Sequence, residues 1–387
     1  GSWLTIKDVA KMDSAICCRE TRPLFLEVLA MNDLVLINRG IAISKIDSWM
    51  TWIVSRNVCI NQCRISRVVA PYLYKAFFAC TGKRLEALTI RKERNDKLAF
   101  AQMLDCAASY CTNLKELTLD YFSSMRGLET MLRNSQKTIC KLMLDCIDLD
   151  GLQVGDMKLS SLHILSIFHN QNVTEVVLQE LLRAAPNLEI LVCNGVNDWP
   201  ADIDISHRLR VMKLCLCDIT DISFCSLVQN CPLLEVVELS NCKLLTDTSV
   251  EALVQRADHL TALALQDNRN FSDSAAHHIA RFCGARMKHM CLDECSSITD
   301  TGLKWLSSEC CALVSLGMDT SYTNQFTIPA IQKLLQNNPL LQEVSVEVQK
   351  DTDKMLTTLA ASCPQLRHLD IMDRREYTKV GILAVMS

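Results

Sequence analysis

Residues 231–265 read CPLLEVVELSNCKLLTDTSVEALVQRADHLTALAL and hold one full period of the chain. Leu234, Val237 and Leu239 follow the spacing Leu-x-x-Leu-x-Leu, and Leu260, Leu263 and Leu265 repeat it. Alternating apolar residues predict a short strand. Cys242 follows, then Thr246-Asp247, then Val250, Leu253 and Val254 at helical spacing. That order predicts a strand, a bend and a helix whose first exposed N–H groups are capped by the threonine oxygen. Cys231-Pro232 closes the helix before and leads into the strand.

The same spacing runs outward in both directions. Its copies begin at Leu85, Leu114, Ile139, Leu162, Leu188, Leu209, Leu234, Leu260, Met287, Leu313, Leu341 and Leu366. The mean period is about 26 residues, within the range of repeats that stack side by side. A degenerate copy, Ile60-Cys63-Ile65, lies upstream of these. The step from Leu188 to Leu209 is too short for a full helix, so Asp198-Trp199-Pro200 is expected to form an irregular loop. The pattern resembles the leucine-rich repeat family, in the cysteine-containing subtype found in F-box/leucine-rich-repeat proteins. The resemblance covers about Ile60 to Ser387. It implies an α/β solenoid, a horseshoe of about twelve repeats with a parallel concave sheet and outer helices. Residues 59–387 are assigned to the repeats and residues 3–58 to an N-terminal helical cap.

That cap has two readings. Thr5-Ile6-Lys7-Asp8 reads as a capping box that opens a helix. The segment Leu4-x-x-x-Asp8-Val9 with Ala15-x-Cys17-x-Arg19 also resembles the second half of an F-box, so the cap is either a plain shield or a degenerate or truncated F-box-like segment. In the second case the N-terminal helices would dock a Skp-type adaptor. At the other end, Tyr377 to Met386 reads as the start of one more outer helix, with no strand after it. The expectation there is that the ladder continues in further residues or pairs with another chain.

Composition narrows the function classes. The chain has 387 residues, 49% hydrophobic and 22% charged, with a net charge of −4. Disorder does not fit this composition. The charge has the wrong sign for a general nucleic-acid binder. No apolar run approaches the roughly 18 residues of a membrane span, so no membrane partner is expected. There are 21 cysteines, an odd number in a long chain. A secreted disulfide scaffold would be short with an even count, so reduced thiols in the cytoplasm or nucleus are expected.

Residues that carry chemistry are sparse. No phosphate-binding loop, nucleotide fingerprint, zinc-protease helix or nucleophile elbow is present. His277-His278 reads as a solvent-facing pair on an outer helix. Cys215/Cys217, Cys291/Cys295 and Cys310/Cys311 lack the paired knuckles of a zinc site. Cys217, Cys242 and Cys295 instead recur at one repeat position, where a thiol fills the bend after the strand. No enzyme, metal or cofactor is expected.

The third, fifth and seventh positions of each strand should face the concave surface. Early repeats place Met143, Ile164, Phe168, Ile190, Val192 and Val211 there. Later repeats place Glu238, Asp293, Asp319, Glu343, Glu347 and Asp370, with no Lys or Arg. The candidate binding site is therefore an apolar anchor of Phe168, Ile164, Ile190, Val192 and Val211 beside an acidic strip. Apolar patches mark interfaces, and acidic strips steer basic partners. The expected function is non-catalytic protein binding on the concave face, to a partner with a basic segment. The resemblance adds a substrate receptor of a ubiquitin ligase. The alternatives are a recognition or scaffold protein with no ligase link, and a repeat frame for an enzyme or enzyme regulator.

Overall fold

The computed structural model describes residues 35–37, 43–58, 60–65, 71–91, 97–120, 125–169, 173–319, 326–346 and 352–371. They belong to two compact units, Gly1–Leu188 and Glu189–Ser387.

In the first unit the strands are β1 (Val35–Ile37), β2 (Gln62–Ile65), β3 (Ala87–Arg91), β4 (Glu116–Asp120), β5 (Lys141–Asp145) and β6 (Ile164–Phe168). All run parallel, each beside its sequence neighbours. Helices α1 (Ile43–Arg56), α2 (Pro71–Thr81), α3 (Lys97–Tyr110), α4 (Met125–Asn134) and α5 (Glu175–Ala184) accompany them. In the second unit the strands are β7 (Ile190–Asn194), β8 (Val211–Cys215), β9 (Val236–Ser240), β10 (Ala262–Ala264), β11 (His289–Cys291), β12 (Ser315–Met318), β13 (Glu343–Val346) and β14 (His368–Ile371). They too are parallel and in sequence order. The helices are α6 (Asp221–Gln229), α7 (Asp247–Arg256), α8 (Asp273–Cys283), α9 (Asp300–Glu309), α10 (Ile328–Gln336) and α11 (Thr352–Ser362). Each unit is a leucine-rich-repeat α/β solenoid. No described helix is long and apolar enough to cross a membrane.

The repeat spacing fixes the register. Equivalent positions lie side by side, as in Leu117↔Leu142, Leu142↔Leu165, Leu263↔Met290 and Leu316↔Val344. Each repeat's first, fourth and sixth residues thus stack into three apolar columns. Leu85, Leu88, Ile90, Leu234, Leu239, Leu313 and Leu316 are at most 1% exposed. Burying a side chain of this size stabilises by about 1.5–3 kcal/mol. The degenerate copy at Ile60 is a true rung, since Cys63 and Ile65 lie buried in β2. One strand lies where only helix was expected. Strand β1 falls inside the segment assigned to the helical cap, and Leu36 pairs with Cys63 of β2. Residues 3–34, with the F-box-like match, lie outside the described residues, as does Tyr377–Met386.

The helix starts are tied to one another. Thr246, Ser272 and Thr299 each cap their own helix. The Asp that follows each cap serves the next repeat. Asp221 accepts from the Thr246 backbone N–H at 2.9 Å and its hydroxyl at 2.6 Å. Asp247 does the same for Ser272 at 2.8 and 2.5 Å, Asp273 for Thr299 at 2.7 and 2.7 Å, and Asp300 for Thr327 at 2.8 and 2.6 Å. A carboxylate at a helix N-terminus is favoured by exposed N–H groups and by the dipole. Here it also links successive repeats. The short repeat behaves as its length requires. Residues 195–210 contain no helix, and Trp199 turns inward to donate from Nε1 to the Val196 carbonyl at 3.0 Å.

Candidate functional site

Alternation along each strand leaves one edge of each repeat for the core and the other for the open face of the sheet. In the second unit that face is cut by a groove of about 320 Å³, lined by residues of β9 to β14 and by Asp293. This is near the lower end of small-molecule pockets, about 300–1,000 Å³. Small side chains make the room: Ala262, Ala264, Ser315, Gly317 and Ser345 all line it. Gly317 has a local reason to lack a Cβ, which would meet Cys291 Sγ at 3.0 Å and Asp293 Oδ1 at 3.1 Å.

The charged groups lining the groove are Glu238, Asp293, Glu343 and Asp370, with His289 and His368 and no Lys or Arg. Asp293 is held on several sides. It accepts from the Asp319 backbone N–H at 2.7 Å, from Gln266 Nε2 at 3.3 Å and from Cys291 Sγ at 3.0 Å. Burial, with the Asp293 charge beside it, pushes the Cys291 thiol up to about 12. A thiol held protonated in this way donates to Asp293. Glu343 and Asp370 are exposed on adjacent strands, one outward position apart in register, since Glu343 pairs with His368 and Ser345 with Asp370. Glu238 differs, because Lys213 reaches it at 2.8 Å from the neighbouring strand. That pairing cancels the charge at the β9 end.

Four of the six acids expected on the strip thus line one groove. Asp319 is half-buried just past β12 and is not among the lining residues. Glu347 lies outside the described residues. The expected apolar anchor divides between the units. Ile164 and Phe168 are at the two ends of β6, half-buried, with Ser166 between them buried. Ile190 and Val192 on β7 and Val211 on β8 are also half-buried, and Ile190 and Val211 are register partners. The small side chains that open the groove were missed as a signal. They sit at outward positions of β10, β12 and β13, where their size, not their polarity, was informative.

The other candidates resolve locally. Cys217 and Cys242 are fully buried, and their thiols donate to the carbonyls of Cys193 at 3.5 Å and Leu214 at 3.5 Å. Cys295 does the same toward Leu265. Asn268 takes this position in its own repeat. Its Oδ1 accepts from the Cys242 N–H at 2.7 Å and its Nδ2 donates to the Leu239 carbonyl at 2.7 Å. Burial pushes the thiols of Cys217 to about 11 and of Cys242 and Cys295 to about 12. The cysteines of the described residues are free thiols. His277 and His278 are half-buried on α8 rather than solvent-facing, with His277 edge-on to Trp305 at 4.7 Å.

No protein-family model matches the chain. A curated relative is the Arabidopsis thaliana protein SUPPRESSOR OF npr1-1, CONSTITUTIVE 1, 28% identical over 178 residues. That match takes in 41% of this chain and 12% of the relative, so the chain spans about one eighth of its length. Among solved structures, the yeast Rad7 and Elc1 complex contains a chain that aligns over 98% of this one and 97% of its own length. The identity is 14% and the TM-score 0.54. The leucine-rich-repeat protein LegL7 from Legionella pneumophila aligns over 92% and 96%, with 12% identity and a TM-score of 0.36.

Proposed function

We propose that this leucine-rich-repeat protein is a non-catalytic interaction module whose second unit takes a basic segment of a partner protein into the groove of β9–β14. The observation that carries this reading is the lining of that groove. Asp293, Glu343 and Asp370 meet no Lys or Arg among the lining residues, while Glu238 is paired with Lys213 at the β9 end, and the small residues between them leave space for incoming side chains. A Lys or Arg entering there gains carboxylate acceptors, and an Arg has the fork geometry to take two oxygens at once. Acidic residues on an open face also steer a basic partner and raise its association rate.

A second reading adds a task to the same module. The fold resembles Rad7, which was crystallised with Elc1, and the sequence resembles F-box/leucine-rich-repeat proteins. Both support a substrate receptor that carries an adaptor on its N-terminal residues. Co-purification of a Skp-type adaptor with the full chain tests that addition, and loss of the adaptor on removing residues 3–34 is expected.

The groove itself is tested by selecting displayed random peptides on the immobilised full chain. Enrichment of Lys and Arg is expected, and it should disappear with Ser345→Trp, which fills the groove. Enrichment of acidic sequences, or enrichment untouched by that substitution, overturns the reading.

A further inference from the structure

We propose that Asp145, Cys146 and His169, in the first unit, form a binding site for a zinc-class divalent transition-metal ion. The three ligand atoms all lie within 4.8 Å of one another. His169 Nδ1 is 3.2 Å from Asp145 Oδ1. Metal–ligand bonds of about 2.0–2.3 Å at tetrahedral angles put ligand atoms about 3.3–3.7 Å apart. The cluster is therefore within a small side-chain adjustment of closing on an ion.

The repeat geometry explains why residues distant in sequence meet. Asp145 ends β5, and its register partner Phe168 ends β6. Cys146 and His169 are the next residues on each strand, and both take left-handed backbone, with φ of 51° and 50°. The Cys146 N–H bonds to the Phe168 carbonyl at 2.9 Å, which locks the two strand exits together. In the second unit the same position holds Gly195, Leu216, Asn241, Asp267 and Glu294, also left-handed. Only at β5 and β6 does this position bring a thiol and an imidazole beside a carboxylate; among the described residues no other group of this kind converges.

A further observation comes from the adjoining strand. Asp120 on β4 is the register partner of Asp145 and is 4% exposed. Its Oδ2 pairs with Arg91, but its Oδ1 is buried with no hydrogen-bond partner. A buried acceptor without a donor is costly, and a cation on the next rung offsets that cost. The donor set selects the metal class. Thiolate and imidazole favour zinc and its neighbours over calcium or magnesium, which take oxygen ligands. Three protein ligands, with His169 exposed and the other two half-buried, leave a fourth position for solvent.

The test is cobalt(II) and zinc(II) titration of the full reduced chain. Cobalt should bind with a thiolate-to-metal charge-transfer band and tetrahedral d–d bands, and zinc should displace it one for one. Cys146→Ser should abolish the charge-transfer band. His169→Ala should weaken zinc binding by at least about tenfold, with the circular dichroism of the repeats unchanged because His169 is exposed. Cobalt held by other thiols would give a band that neither substitution changes. If the band and the zinc affinity survive both substitutions, the metal is held elsewhere and the proposal fails. It fails also if no stoichiometric binding occurs.

Discussion

Asn268 holds at one position what three cysteines hold at its equivalents. Its amide joins the Cys242 N–H to the Leu239 and Gln266 carbonyls while 2% exposed. Removing it leaves buried backbone groups unmatched, each at about 1–3 kcal/mol. Asn268→Ala should therefore lower stability by about 2–5 kcal/mol in urea unfolding. The cysteines make a pH prediction of their own. Cys242 and Cys295 are held up at about 12 and Cys217 at about 11, all by burial, against an ordinary thiol value of 9.0. Below pH 9 both folded and unfolded chains keep these protons. Above it the unfolded chain loses them first, so the native state binds more protons and stability falls as pH rises. Urea midpoints should be flat from pH 7 to 8.5 and decline steadily toward 11. A midpoint that holds constant to pH 11 would contradict the burial of these thiols.

At the scale of elements, the Asp-to-cap ladder joins successive helices, and at Asp273 it also reaches into the body of the next helix. Besides Thr299, Asp273 accepts from the Gly302 N–H at 2.8 Å. A Cβ on Gly302 would sit 2.6 Å from Asp273 Oδ1 and 2.7 Å from Ile298 Cγ2. Gly302→Ala should thus cost about 1–3 kcal/mol, although alanine is the better helix former. In the strand next to this helix, Leu316→Ala should cost about 2–5 kcal/mol through the cavity it leaves in the ladder. Thermal unfolding of both variants checks the pair. Much of this element pattern was legible beforehand. The apolar columns, the caps and the short repeat at Trp199 follow from spacing, because spacing alone sets which residues stack. Strand β1 was not legible, since with Leu36 aligned to Cys63 the first and sixth positions of the spacing fall on Asp33 and Asn38, both polar. The cluster of Asp145, Cys146 and His169 was hidden for a related reason. A search for paired cysteines looks along the chain, whereas these ligands meet across it, one repeat apart.

For the molecule as a whole, the functional question is where its charge acts. A net charge of −4 over 387 residues is small, so any steering must come from local concentration. The acidic strip was read from outward positions, and four of its six members line one groove. What the sequence pattern could not convey was that Lys213 neutralises Glu238, because the two lie one repeat apart on neighbouring strands. The effective charge thus sits toward β11–β14, at Asp293, Glu343 and Asp370. This asymmetry separates two kinds of substitution. Glu343→Lys with Asp370→Lys reverses exposed charge without touching the ladder. It should slow association with a Lys/Arg-rich peptide by about tenfold or more at low salt. The difference should shrink as ionic strength rises, because the Debye length falls to about 8 Å near 0.15 M. Glu238→Gln should do much less, since its charge is already met. Ser345→Trp acts on shape and should speed dissociation at every salt concentration. Stopped-flow association and dissociation rates across a salt series distinguish these effects. Equal sensitivity to Glu238→Gln and to the double reversal would show that the groove's charge is not arranged as its ion pairing requires.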